Sequence, residues 1–126
     1  MPRKKTSGLT DAELRLMEVL WHIGPSTVTD VAAALPPEVP LAYSSVLTTL
    51  RILETKGYLR HRKDGRAFIY EPIVARDEVR ESAVAHLLRR FFENSPEQLM
   101  LNLIDGRKIS AKQLQRLRKR IEEAGK

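Results

Sequence analysis

No cysteine occurs among the 126 residues. Disulfide bonds and thiolate metal sites are therefore excluded, and the chain suits a reducing compartment. Long apolar runs are missing as well. None approaches the roughly 18 to 20 residues of a membrane span, and the opening MPRKKTSG has no apolar centre of the signal-peptide kind. A cytoplasmic chain with no membrane insertion is expected. The constellations of catalysis are also absent: no paired carboxylates, nucleophile with a base, or glycine-rich phosphate loop stands at a working spacing, and Gly65 and Gly106 read as turn residues. The three histidines, His22, His61 and His86, fall in three different segments, so neither a shared metal site nor a cofactor is expected, and the chain does not read as an enzyme.

What is present is basic charge. Lys and Arg number 22 against 16 Asp and Glu, giving a net +6 and a pI near 9.9, the footprint of a protein that meets polyanions. With 42% hydrophobic residues the chain is globular, and its length holds one small domain plus an extension that must bury its apolar surface elsewhere. Residues 1–8, with Arg3, Lys4 and Lys5, read as a flexible basic arm.

Helical periodicity begins at LTDAELRLMEVLWHIG. Thr10 and Glu13 form a capping box, Leu14, Met17, Leu20 and Trp21 recur at helical spacing, and Gly24-Pro25 stops the run. STVTDVAAALPPE gives an extended piece at Thr27 and Val28, then a short helix capped by Thr29 or Asp30. A third helix spans about 42–56, with Val46, Leu50 and Leu53 inward and Gly57 as a left-handed cap. Its other face carries Tyr43, Ser44, Ser45, Thr48, Thr49 and Arg51. Short hydroxyl side chains are mediocre helix formers but suit close approach to a polar groove such as that of DNA.

YLRHR and RAFIYEP then alternate apolar and polar around KDGR, whose Asp64-Gly65 signals a tight hairpin. Helix, short strand, helix, helix and hairpin is the order of a winged helix, with the second and third helices as helix-turn-helix and the hairpin as wing. Lys56, Arg60, Arg62, Lys63 and Arg66 add basic charge at the recognition helix and wing; over 42–71 there are six basic residues against three acidic. The expected DNA-binding set is Tyr43, Ser44, Ser45, Thr48, Thr49, Arg51, Lys56, Arg62, Lys63 and Arg66. A winged-helix adaptor that docks an acidic protein is the competing function.

These segments carry a family resemblance. LTDAELRLMEVLWHIGPSTVTDVAAAL and YSSVLTTLRILETKGYLRHRKDGRAFIYEP resemble the penicillinase repressor (BlaI/MecI) family, through Leu14, Met17 and Trp21, through VLTTLRILETKGYL, and through FIYEP at the end of the wing. The resemblance runs from residue 9 to about 123. It implies a dimeric repressor on palindromic double-stranded DNA, released when a membrane sensor with a metalloprotease domain triggers cleavage. By position, the cut would fall at Asn102-Leu103. The family pattern there has a larger aromatic after the asparagine, so a purely interfacial role for Asn102 stays open.

Beyond Pro72, Val79, Ala83, Leu87 and Phe91 recur in steps of four with Leu88 beside them, EQLMLNLIDG presents Leu99 and Leu103, and SAKQLQRLRKRIEEAG presents Leu114, Leu117 and Ile121. Three amphipathic helices with so little chain to cover them require either a two-fold partner or the chain's own first domain. The expected architecture is mainly α: a winged helix-turn-helix with a β-hairpin wing over 9–73, and a three-helix dimerisation region over 74–126 whose interface is formed by those ten residues.

Overall fold

The structure is a computed structural model describing residues 8–38 and 41–125. The expected basic arm, Gly8 apart, lies outside the described residues. Six helices and one hairpin follow in the order α1 (Asp11–Ile23), α2 (Val28–Ala34), α3 (Tyr43–Thr55), β1 (Leu59–Asp64), β2 (Ala67–Pro72), α4 (Arg76–Phe91), α5 (Pro96–Asp105) and α6 (Ala111–Ala124).

Thr10 caps α1 as its spacing to Glu13 predicts: its hydroxyl accepts from the Glu13 N–H and its own N–H donates to the Glu13 carboxylate, both at 3.0 Å. The buried face of α1 differs from expectation. Glu13, Leu16, Met17 and Leu20 point inward, while Leu14 is 39% exposed. An i, i+3, i+4, i+7 set starting at Glu13 defines this stripe, and a carboxylate at its head conceals it from a count of apolar residues. The start of α2 also differs: Thr27, not Thr29 or Asp30, is the cap, in a capping box with Asp30. The extended piece sits earlier, at Ser26, which exchanges two backbone bonds with Tyr70 and so adds a bridge to the hairpin.

One core joins these elements. Leu16, Met17 and Leu20 meet Val28 and Val31, then Val46, Leu50 and Leu53, and the hairpin closes over them with Tyr58, Leu59 and Tyr70. Each such side chain contributes about 1.5–3 kcal/mol by leaving water.

The chain divides into two compact units, the first ending at Val84 and the second beginning at Ala85, so the division falls within α4. Side chains of α1 account for this. Trp21 Nε1–H donates to the Val74 carbonyl at 3.0 Å, and the Arg76 guanidinium pairs with Glu18 at 2.8 Å and lies over the Trp21 ring. Val79, expected at the dimer interface, is partly buried and packs against the core of the first unit. In contrast, neither α5 nor α6 has a buried residue, and Phe91 and Ile121 are 65% and 70% exposed.

Candidate nucleic-acid interface

Ala42 gives α3 no side-chain cap, so the helix is held by its inward stripe and by its C-terminus. There Gly57, at φ +92°, allows the Tyr58 N–H to reach Leu53 O and its own N–H to reach Glu54 O, both at 3.0 Å. Tyr58 is buried, and β1 starts one residue later. The same turn therefore ends the helix and launches the wing.

Opposite Val46, Leu50 and Leu53, the exposed positions Ser44, Thr48, Arg51 and Thr55 succeed each other along one line of the helix, with Ser45 beside them and Tyr43 56% exposed at its start. Thr49 departs from this set. Its hydroxyl donates to the Ser45 carbonyl at 2.8 Å and is engaged by its own helix. Lys56 departs too: its ammonium pairs with the buried Glu13 at 2.8 Å and donates to the Gly8 carbonyl at 3.4 Å. Burial acts to raise the Glu13 carboxyl, but the Lys56 hydrogen bond and charge, with the Thr10 N–H and hydroxyl, hold it below the usual carboxylate range. Lys56 thus ties the end of α3 to the start of α1.

The hairpin pairs Arg60 with Glu71, Arg62 with Ile69 and Lys63 with Phe68. Its loop is Gly65-Arg66, with positive φ (+64°) at Gly65 but not at Arg66, the pattern of a type II′ turn. Glu71 lies 2.6 Å from Arg60 and 3.6 Å from Arg62, and the Arg60 hydrogen bond foremost holds its carboxyl low. Two of the wing's arginines are therefore partly neutralised. Among the described residues, Arg51, Lys63 and Arg66 have no ion-pair partner.

Tyr43, Arg51 and Arg66 come together, lining a cleft of ≈ 500 Å3 with Thr27, Thr29, Leu47 and Phe68. Arg51 also borders a hollow with Thr48, Ile52, Thr55 and Lys56. The phenol of the buried Tyr70 is raised by burial and by the Glu54 charge, against the opposing pull of Arg51. On the wing, the ring of His61 stacks near Phe68 at 4.9 Å, and its Nδ1 lies 2.8 Å from the Glu54 carboxylate; because a carboxylate only accepts, that nitrogen carries the proton. A convex hydroxyl-bearing helix beside a cationic loop suits a grooved polyanion.

A family model described as the penicillinase repressor matches residues 9–123. The chain belongs to the penicillinase repressor family. It is 28% identical over 120 residues to the penicillinase repressor of Bacillus licheniformis, spanning 95% of this chain and 94% of that one. With the transcriptional regulator BlaI of Mycobacterium tuberculosis it shares 33% over 98 residues, 77% of this chain and 71% of the other. The solution structure of the DNA-binding domain of the repressor BlaI superposes with a TM-score of 0.52 at 32% identity, covering 60% of this chain and 92% of that domain. The first unit is accordingly a winged helix of a repressor family whose members are DNA-binding regulators and not enzymes.

Three residues at this repressor's surface had escaped the sequence reading. Thr55 continues the Ser44, Thr48, Arg51 line and was legible from helical spacing. Phe68 was legible as the wing residue two positions from the buried Tyr70 and on the same face of the strand. Thr29 was not, because its place depends on how α2 docks.

Proposed function

We propose that this penicillinase-repressor family member binds an inverted-repeat operator as a homodimer, inserting α3 into the major groove of each half-site. Ser44, Ser45, Thr48 and Tyr43 reach base edges or sugar-phosphate from the exposed line of α3, while Arg51, Lys63 and Arg66 bind phosphates. Arg62 contributes less than its neighbours because Glu71 already holds it. Lys56 and Thr49 act within the fold. The observation that carries the proposal is the juxtaposition of Tyr43, Arg51 and Arg66 from helix and wing around one open cleft beside the hydroxyl line.

The dimer is supported by Ala83, Leu87, Leu88, Phe91, Leu99, Leu103, Leu114, Leu117 and Ile121, none of them buried in the single chain. A two-fold partner gives these faces a core and sets two copies of α3 about 34 Å apart, or a multiple of it, to match the duplex repeat.

Relief by a sensor-triggered protease fits Asn102-Leu103. Asn102 is exposed near the end of α5, a helix of 10 residues that is short enough to open locally. A cut there detaches α6 from the rest of the chain.

Band shifts with the DNA upstream of the protein's own gene, run against random duplex of equal length, test the operator; preference for an inverted repeat is expected. Equal affinity for both duplexes would favour the acidic-protein adaptor. Incubation with the induced cognate sensor and sizing of the fragments tests the cut, which intact chains throughout would refute.

A further inference from the structure

The basic charge of the chain is not where the winged helix is. Residues 1–84 carry twelve Lys and Arg against eleven Asp and Glu, so the unit that holds the winged helix is near neutral. Residues 85–126 carry ten against five. Within them, residues 107–120 contain seven basic residues (Arg107, Lys108, Lys112, Arg116, Arg118, Lys119 and Arg120) and no acidic one.

Helical geometry sorts this run. In α6, Leu114, Leu117 and Ile121 share one stripe, and Lys112, Arg116 and Lys119 stand at i, i+4, i+7 on the opposite side, with Arg120 at their flank. All four cations are exposed. Among the described residues, the ion pair within α6 is Arg118 with Glu122 at 3.3 Å; Lys112, Arg116, Lys119 and Arg120 are in none. A helix built only to dimerise and stay soluble gains from opposite charges at i, i+4 on its outer side. Here that side is of one sign until Glu123, which costs repulsion along the helix. A polyanion relieves that repulsion.

We propose that the Lys112, Arg116, Lys119 stripe of α6 is a second DNA-backbone surface, which supplies sequence-independent affinity that the near-neutral winged helix lacks. The inference rests on the DNA-binding dimer proposed above. Phosphate is the matching ligand because the stripe offers cations without the hydroxyls or aromatics that read or stack bases. Its apolar stripe is left for the partner subunit, so α6 uses both sides at once. The consequence is a division of labour: α3 chooses the sequence, and α6 raises the time spent on any DNA.

The test compares wild type with Lys112→Gln/Arg116→Gln/Lys119→Gln on a random-sequence duplex over a range of salt. Up to six phosphate contacts per dimer are lost, so the slope of log affinity against log salt should become shallower by about 3 to 5, while sedimentation still gives a dimer. The variant Lys112→Arg/Lys119→Arg should keep the wild-type slope. In a parallel arm, Thr48→Ala should lose preference for the operator yet retain the wild-type slope on random duplex.

An unchanged slope in the triple variant overturns the inference and leaves the operator proposal standing. Wild type that ignores every duplex defeats both. If wild type instead sediments with vesicles of anionic phospholipid, and the triple variant loses this while its DNA slope is unchanged, the stripe serves a membrane surface and the inference fails. Should the triple variant not dimerise, the three single substitutions are read in the same way, each making the slope shallower by about 1 to 2.

Discussion

Glu13 and Lys56 show how a charged pair can serve the fold at a place where charge elsewhere serves DNA. The Glu13 side chain is 7% exposed and that of Lys56 31%, so the pair is shielded on the acidic side and open on the other. Removal of Lys56 strands a carboxylate that already accepts from Thr10. Lys56→Met should therefore destabilise the chain by about 1–2 kcal/mol, below the value for a fully buried pair because water reaches the ammonium. The pH dependence follows from the direction of the shift. Glu13 titrates lower in the folded chain than in the unfolded one, so its contribution is complete above the unfolded value of about 4.3 and is lost as pH falls through the folded value. Thermal melts of wild type between pH 6 and 3 should fall away below that point, by the protonation of Glu13 among others, and Glu13→Gln should flatten the fall. Melts of the two proteins that run parallel throughout would place the stabilisation elsewhere. Glu71 is also held low, but its bonds to Arg60 and Arg62 sit at the water-facing surface of the wing, where screening leaves little for stability.

At the scale of elements, the hinge between α3 and the wing is made of backbone. Gly57 adopts φ +92°, and a side chain there would be strained, so Gly57→Ala should cost about 1 kcal/mol and shift the wing with it. The wing's cations then separate by partner. Arg66→Ala should weaken binding to every duplex and make the salt slope shallower by about 1 per protomer, Arg62→Ala should do less, and Thr48→Ala should change the ratio between operator and random DNA instead. Band shifts at three salt concentrations distinguish these outcomes; equal losses for Arg62→Ala and Arg66→Ala would mean that Glu71 releases its arginine on binding. Much of this element order was legible beforehand. The Thr10 box, the Gly57 stop and the Asp64-Gly65 turn are local signals, each set by a backbone requirement that few residues meet. The misread positions share a different character. Glu13 lies inside because Lys56 arrives from 43 residues away, and the cap of α2 shifts to Thr27 because Ser26 bonds to Tyr70. Long-range partners decide these, and spacing within one segment does not contain them. The partnership of Glu71 with Arg60 stands between the two cases, since a two-residue loop at Gly65-Arg66 fixes which residues face each other.

At the scale of the molecule, charge and apolar surface divide between two units. Residues 42–71 carry an excess of three positive charges inside a unit whose remaining described residues are acidic, so the winged helix is polarised toward α3 and the wing. Such polarity orients a molecule more than it attracts one, and in the proposed dimer doubling the face adds affinity. On that proposal, doubling depends on the arm. Ile121 and Leu117, at 70% and 44% exposure, lie on a helix with no buried residue, and a carboxylate there meets water in a single chain but apolar partner surface in a dimer. Leu117→Asp should consequently leave the melt of the first unit in place, since among the described residues no side chain beyond Val79 packs on that unit's core, while sedimentation shows single chains at micromolar concentration. On an inverted repeat the salt slope should fall by about half, because each chain now brings only its own phosphate contacts. Affinity for the intact repeat should approach that for an isolated half-site. A variant that stays dimeric with an unchanged slope would assign the two-fold contact to another surface, and the exposed faces of α4 and α5, with Leu87, Phe91 and Leu103, would then be the place to repeat the substitution.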